Sequence, residues 1–215
     1  MTVAFVHTVT SLAPVFGALA EELLPDEEIF HVVDESLLGV TRKVGGLTPT
    51  TRRRVLGHLE SAAEAGANVV VVTCSSIGPA VEASREFVSV PVVRIDEPMA
   101  DEAVRLGRRV GVLATLPTTL EPTADLVARR GAAEVRSQLC DGAFDALAAG
   151  DREGHDELVR EGLRRLAGEV DVVVLAQASM ARVTDALPEE ERPVPILSSP
   201  RLGMEHVARL VQARG

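Results

Sequence analysis

The fold of this chain is decided by one stretch, Val69-Val70-Val71-Val72-Thr73-Cys74-Ser75-Ser76-Ile77-Gly78-Pro79. Four consecutive valines are typical of a parallel strand that is buried on both faces. Small polar residues end the strand, and Gly78-Pro79 then favours the first turn of a helix, where proline is tolerated. The stretch therefore predicts a strand, a tight loop and a helix, as in an open parallel α/β sheet.

The loop after this strand is the first candidate functional site. Ligands of open parallel sheets bind at the carboxyl ends of the strands, and Cys74 would lie at that edge beside Ser75 and Ser76. Free amides at the start of the next helix favour an anion and lower the pKa of a thiol. We therefore expect a reactive thiolate beside a cradle for a carboxylate. The alternative is a buried structural cysteine, because free cysteine is among the most buried residue types.

The same pattern occurs a second time in the chain. Val172-Val173-Val174-Leu175-Ala176-Gln177-Ala178-Ser179 aligns with residues 69–76 without a gap, so that Gln177 takes the place of Cys74. The opening strands of the two halves also correspond, and so do the strands that follow the repeat. This order of matches predicts an internal duplication of about half the chain.

The duplication predicts an α/β fold of two pseudo-symmetric three-layer αβα halves, each with a parallel sheet, and a cleft between them. The first half is expected to comprise residues 1–97 together with 200–215, since the last helix can pack back onto the first half. The second half is expected to comprise residues 98–199.

The composition argues against several classes of partner. The chain has 215 residues, a net charge of −10, five Phe and neither Trp nor Tyr. Few aromatic side chains and an acidic balance disfavour a nucleic-acid partner. No apolar run reaches the length of a membrane span, and no charged and apolar leader precedes the first strand. Two cysteines do not form a disulfide framework, so we expect a reduced, cytoplasmic protein without a membrane partner.

The sequence also gives no sign of a cofactor. No group of Cys or His residues has the spacing of metal ligands, and no glycine-rich phosphate loop is present. Lys43 is the only lysine, which leaves no good Schiff-base candidate for pyridoxal phosphate.

Further candidate binding residues follow the opening strand of each half. His7 and Thr8 end the first strand of the chain, and a run of threonines follows the first strand of the second half. These groups could hold a carboxylate, although helix capping or a structural hydrogen bond explains them equally well. The predicted substrate-binding set is His7, Thr8, Ser75, Ser76, Thr115, Thr118, Thr119, Gln177 and Ser179, with Cys74 as the catalytic residue.

Three further motifs stand beside Thr73-Cys74-Ser75-Ser76. They are Glu97-Pro98, Arg108-Arg109-Val110-Gly111-Val112-Leu113-Ala114-Thr115 and Leu175-Ala176-Gln177-Ala178-Ser179-Met180-Ala181. With the duplicated halves, they make nearly the whole chain resemble the aspartate/glutamate/hydantoin racemase superfamily. The resemblance implies a cofactor-independent and commonly dimeric enzyme. In its racemases two cysteines, one from each half, act on opposite faces of a carbon next to a carboxylate.

The chain departs from this pattern in its second half. Gln177 stands where the resemblance places the second thiol, and an amide is neither an acid nor a base near neutral pH. Cys140 is predicted on the neighbouring strand, where a buried role is the common one for cysteine. His7 and Asp96 are the other candidates for a second base.

The sequence therefore predicts an isomerase or racemase-like enzyme that acts on a small carboxylic acid. Cys74 would transfer a proton next to the carboxylate. The first alternative is a decarboxylase or other lyase that uses a single cysteine, and the second is a non-catalytic protein that binds a small anion. A homodimer or higher homo-oligomer is expected from the resemblance.

Overall fold

The chain forms two compact units in a computed structural model that describes residues 1–214, with the backbone alone at position 185. The first unit comprises Met1–Ile95 and the segment that begins at Pro200. The second unit comprises Asp96–Ser199.

The first unit is built on four parallel strands. These are β1 (Thr2–His7), β2 (Glu28–Val33), β3 (Val69–Val72) and β4 (Val92–Arg94), and they lie in the order β2-β1-β3-β4. Its helices are α1 (Leu12–Leu23), α2 (Glu35–Val44), α3 (Pro49–Glu64), α4 (Gly78–Ser84) and the last helix of the chain, α10 (Ser199–Gln212).

The two faces of this sheet explain the four valines of β3. Val69 and Val71 pack in one hydrophobic cluster with side chains of α1 and α10. Val70 and Val72 point the other way and pack with α2, α3 and α4. Because alternate residues of a strand face opposite sides, a strand covered by helices on both sides must be apolar throughout. The unit therefore has three layers, as predicted.

The second unit repeats this arrangement. Its strands are β5 (Arg109–Ala114), β6 (Glu134–Leu139), β7 (Val172–Leu175) and β8 (Ile196–Ser198), all parallel and in the order β6-β5-β7-β8. Its helices are α5 (Glu97–Leu106), α6 (Pro117–Arg129), α7 (Ala143–Ala148), α8 (Arg152–Ala167) and α9 (Ala181–Asp185). The predicted α/β class with parallel sheets is confirmed. No helix in the described part of the chain is long and apolar enough to cross a membrane.

Polar side chains fix several helix starts at the edges of the sheets. Asp34 caps α2 by accepting a hydrogen bond from the backbone N–H of Ser36, and Asp151 caps α8 in the same way. Ser11 stands at the corresponding position of α1, but its side chain makes no capping bond. Gly45 ends α2 with a φ of 73°, a conformation that glycine adopts without steric cost.

Candidate active site

Cys74 lies at the carboxyl end of β3, where the strand turns into a short 3-10 helix, Ser75–Ile77. Its backbone is still extended, with φ of −119° and ψ of 112°. The side chain therefore continues the alternation of the strand and packs against the same cluster as Val70 and Val72. Cys74 is partly exposed. The structure thus places this thiol at the edge of the sheet, as the sequence predicts.

Polar groups around Cys74 favour the thiolate, but burial opposes them. The hydroxyls of Thr8 and Ser76 and the backbone N–H groups of Ser76 and Ile77 lower the pKa of Cys74. Removal of the sulfur from water is the larger effect, and it raises the pKa of Cys74 above its ordinary value. The expectation of a lowered pKa is therefore wrong, because desolvation outweighs the nearby dipoles. At neutral pH the side chain is a thiol that can donate a proton.

Two predicted binding residues carry buried hydroxyls without a hydrogen-bond partner. The Thr8 hydroxyl favours the Cys74 thiolate, yet its Oγ1 completes no hydrogen bond of ordinary geometry within residues 1–214. Thr118 Oγ1, in the first turn of α6, is also buried and without a partner in that range. Buried polar atoms are almost always hydrogen-bonded in folded proteins. Both hydroxyls are therefore open to a ligand.

His7 is committed to its neighbours. Its Nδ1 lies 2.8 Å from Thr73 Oγ1, and its Nε2 lies 2.9 Å from His31 Nδ1. Burial, followed by the charge of His31, lowers the pKa of His7 to about 4. Both ring nitrogens are used within the first unit, so the structure does not present His7 to a ligand. Its predicted part in substrate binding stays a prediction.

Gln177 occupies the position in the second unit that Cys74 occupies in the first. Each residue follows its valine-rich strand by two positions and has an extended backbone, with φ of −129° and ψ of 137° at Gln177. The Gln177 Oε1 accepts from the backbone N–H of Thr115 at 2.7 Å, and Nε2 donates to Thr115 Oγ1 at 2.6 Å. A backbone N–H can only donate, so the orientation of the amide is fixed.

The remaining predicted residues lie close to these two positions in the chain. Ser179 is half-buried in the 3-10 helix Ala178–Met180, and Thr119 is buried in the first turn of α6. The predicted residues thus form two sets, one at each sheet edge: His7, Thr8, Cys74, Ser75 and Ser76 in the first unit, and Thr115, Thr118, Thr119, Gln177 and Ser179 in the second.

A family model for Asp/Glu/Hydantoin racemase matches residues 10–207. The chain belongs to the Asp/Glu/hydantoin racemase family. The resemblance stated from the sequence motifs is confirmed. A search of curated protein sequences finds no match.

Solved structures of racemases share the fold of this family member. Allantoin racemase from Klebsiella pneumoniae superposes with a TM-score of 0.72 at 23% identity, over 100% of this chain and 89% of that chain. Glutamate racemase from Thermus thermophilus, in complex with beta-chloro-D-alanine, gives 0.76 at 22% identity, over 100% and 81%. An arylmalonate decarboxylase gives 0.66 at 20% identity, over 100% and 94%. At these identities the likeness is one of fold.

Cys140, the second cysteine of the chain, is a packed side chain in this structure. It follows β6, is buried in the hydrophobic cluster around α8, and has a pKa that burial raises to about 11. Its Sγ lies 2.6 Å from the point that a Cβ on Gly162 would occupy. A glycine in α8 therefore makes room for this sulfur, which indicates a packing role.

Three polar groups of this family member were not singled out from the sequence. His31 lies on β2 and contacts His7, Arg94 on β4 forms an ion pair with Glu82, and His155 in α8 lies 2.8 Å from Asp156. No motif in the sequence points to these residues, because Arg94 lies beside valines and each histidine stands alone among residues of other types. Only the pairing of strands and helices brings these partners together. Within residues 1–214 no group of three or more His, Cys, Asp or Glu side chains could hold a metal ion.

Proposed function

We propose that this racemase-family protein is an enzyme that transfers a proton on one face of a carbon next to the carboxylate of a small acid. Cys74 is its only reacting thiol. The contrast between two equivalent positions carries the proposal: four donors act on the Cys74 sulfur, whereas Gln177 is an amide held by two hydrogen bonds to Thr115. A thiol at the first position and a fixed amide, which is neither an acid nor a base, at the second support chemistry by a single thiol.

In the proposed reaction the Cys74 thiol first gives its proton to solvent, and the resulting thiolate takes the proton from the carbon. The S–H bond forms as the C–H bond breaks, and the electron pair moves into the carboxylate to give an enediolate. Such charge is stabilised by donors that are already oriented. The Thr8 hydroxyl, which acts on the Cys74 sulfur, has no other partner within residues 1–214 and can supply such a donor. The same sulfur then returns a proton on the same face: to the same carbon, which exchanges its hydrogen with solvent, or to a conjugated neighbouring carbon, which completes a tautomerisation.

A second candidate is decarboxylation, and the raised pKa of Cys74 favours it. In this reaction the C–C bond breaks, carbon dioxide leaves, and the electron pair remains on the carbon as an enediolate. Cys74 in its thiol form then gives its proton to that carbon, and solvent restores the thiol. A cysteine that stays protonated near neutral pH suits the step, because only the donation of a proton is required.

Proton NMR in deuterated water tests the proposal. The protein is mixed with amino acids, hydroxy acids, malonates and maleate, and the same panel is run with Cys74→Ala and, as the matched control, Cys140→Ala. We expect deuterium next to the carboxylate of at least one acid with the wild-type protein and with Cys140→Ala. Full turnover by Cys74→Ala would refute the assignment of the thiol.

The same panel separates the other functions. Loss of carbon dioxide from a malonate indicates the decarboxylase. Binding of one acid, seen as a shift in the melting temperature, without turnover and with a Cys74 that resists alkylation indicates a non-catalytic binding protein.

A further inference from the structure

Two hydrogen bonds run from an exposed edge strand to the residue before Cys74, and a third continues from that residue to a backbone carbonyl. His31 is exposed on β2, and its Nδ1 lies 2.9 Å from Nε2 of the buried His7. His7 Nδ1 lies 2.8 Å from Thr73 Oγ1, and Thr73 Oγ1 donates to the Val6 carbonyl at 3.3 Å. Thr73 directly precedes Cys74.

The direction of every hydrogen bond in this chain follows from its last acceptor. A carbonyl only accepts, so the hydroxyl proton of Thr73 points to Val6. His7 Nδ1 must then donate to Thr73, which leaves His7 Nε2 as an acceptor. His31 must therefore donate from Nδ1, and both histidines are neutral Nδ1–H tautomers. The rings of Phe5, Phe16 and His31 pack around His7 at centroid distances of 5.1–6.0 Å.

The chain of hydrogen bonds continues the sheet beyond its last paired residues. The ladder between β1 and β3 ends at Val6 and Val72. The bond between His7 and Thr73 joins the two strands one residue further on, immediately before Thr8 and Cys74. Thr8 follows His7 in the chain, and Cys74 follows Thr73. The hydrogen bond between His7 and Thr73 therefore lies directly before Thr8 and Cys74, the two residues that interact at the sulfur.

We propose that His31 is a positioning residue for Cys74 that acts through His7 and Thr73. The proposal rests on the function proposed above, in which Cys74 reacts. His31 fixes the tautomer of His7, and His7 holds Thr73, so the strand ends that carry Thr8 and Cys74 keep their spacing. His31 Nε2 is directed towards Gly17 of α1, beside a cavity of about 330 Å³ that Glu21 and Glu27 also line.

The test compares variants of His31 that keep or remove the donor. His31→Leu covers His7 but cannot donate, whereas His31→Asn places an amide N–H close to the position of Nδ1. Val33→Asn, on the same strand and the same face, is the matched control. On the acid identified by the deuterium panel, we expect kcat of His31→Leu to fall about tenfold with KM changed less than about twofold, because small misplacements of reacting groups slow the chemical step. His31→Asn and Val33→Asn keep the wild-type kcat.

Several results would overturn the proposal. They are a wild-type kcat in His31→Leu, an equal loss in His31→Asn, and a rise in KM in place of the loss in kcat. If His31→Leu does not fold, Thr73→Val breaks the same chain at its other end and should show the same loss. Nitrogen-15 NMR of the wild-type protein must show the Nδ1–H tautomer for both His7 and His31, and an Nε2–H tautomer for either contradicts the chain.

Failure of the proposed function is recognised separately. If the wild-type protein turns over no acid, alkylation of Cys74 by iodoacetamide decides the positioning role. A loosened strand end relieves the burial of the sulfur, so His31→Leu should react at least about threefold faster than both the wild-type protein and His31→Asn. Equal alkylation rates would overturn the inference.

Discussion

The buried His7 should make this protein lose stability in mild acid. Burial lowers the pKa of His7 from 6.5 to about 4 in the folded chain. Between these values the unfolded chain binds a proton that the folded chain does not, so the free energy of unfolding decreases as the pH falls. The contribution is fully present above the unfolded pKa and is lost as the pH falls from 6.5 towards 4. From about pH 7.5 to about pH 5 it amounts to about 2 kcal/mol.

The pH range can be chosen so that carboxyl groups contribute little. Asp34, Asp156 and Asp171 also have lowered pKa values because of nearby donors and arginines. Their contributions are lost below the ordinary pKa of aspartate, near 3.8, and the comparison therefore stops at about pH 5. Partial burial of the His31 ring lowers its pKa as well, which adds to the effect of His7.

Urea unfolding at about pH 7.5 and about pH 5 measures this effect. We expect the wild-type protein to lose at least about 2 kcal/mol between the two conditions, and His7→Gln to lose correspondingly less. His206→Gln, in the exposed face of α10, is the control and should behave as the wild-type protein does. An equal loss of stability in His7→Gln and in the wild-type protein would refute the reasoning.

Four further predictions concern packing and the two equivalent positions. Gly162→Ala places a Cβ 2.6 Å from Cys140 Sγ and 2.9 Å from Leu113 Cδ1, so urea unfolding should show a loss of about 1–3 kcal/mol. Cys140→Ala should keep wild-type turnover in the deuterium assay, and in this background Gly162→Ala should be much less destabilising. Gln177→Leu leaves the buried N–H of Thr115 unpaired and should lower the free energy of unfolding by about 1–3 kcal/mol. Gln177→Cys restores the second thiol of the family pattern and should produce racemisation, measured by chiral chromatography.

Each of these predictions has a contradicting outcome. If Gly162→Ala leaves the free energy of unfolding unchanged, or lowers it equally with and without the Cys140 sulfur, the close approach of the new Cβ to that sulfur is not the cause. Loss of turnover in Cys140→Ala would make this cysteine a reacting group. Unchanged stability of Gln177→Leu would mean that Thr115 finds another acceptor. If the Gln177→Cys variant folds and binds the acid but the acid still keeps its configuration, positions 74 and 177 are not equivalent in function.

The sequence predicts the location of the candidate site but not its electrostatics. The two valine runs and the small polar residues after them are sufficient to place Cys74 and Gln177 at the ends of equivalent strands, because a strand buried on both faces leaves a distinct pattern. The pKa of Cys74 depends instead on how much protein surrounds its sulfur, and no local pattern reports this. The same is true of Cys140, whose packing against α8 requires knowledge of which helix covers β6.

Contacts between distant parts of the chain account for the rest. The pair formed by His7 and His31 requires the register in which β1 lies beside β2. The sequence alone shows that Gln177 takes the place of Cys74 in the second copy of the repeat. The two hydrogen bonds between Gln177 and Thr115 are visible only once β5 and β7 are neighbours.

Configuration and deuterium content at the same carbon test the central proposal most directly. A single enantiomer of the acid that exchanges in the panel is incubated in deuterated water, and the recovered acid is analysed by mass spectrometry and chiral chromatography. One-sided transfer by Cys74 predicts that deuterium enters while the configuration is retained, and that neither change occurs with Cys74→Ala. Deuterium that enters together with inversion would show a second acid or base on the opposite face and would contradict the single-thiol account.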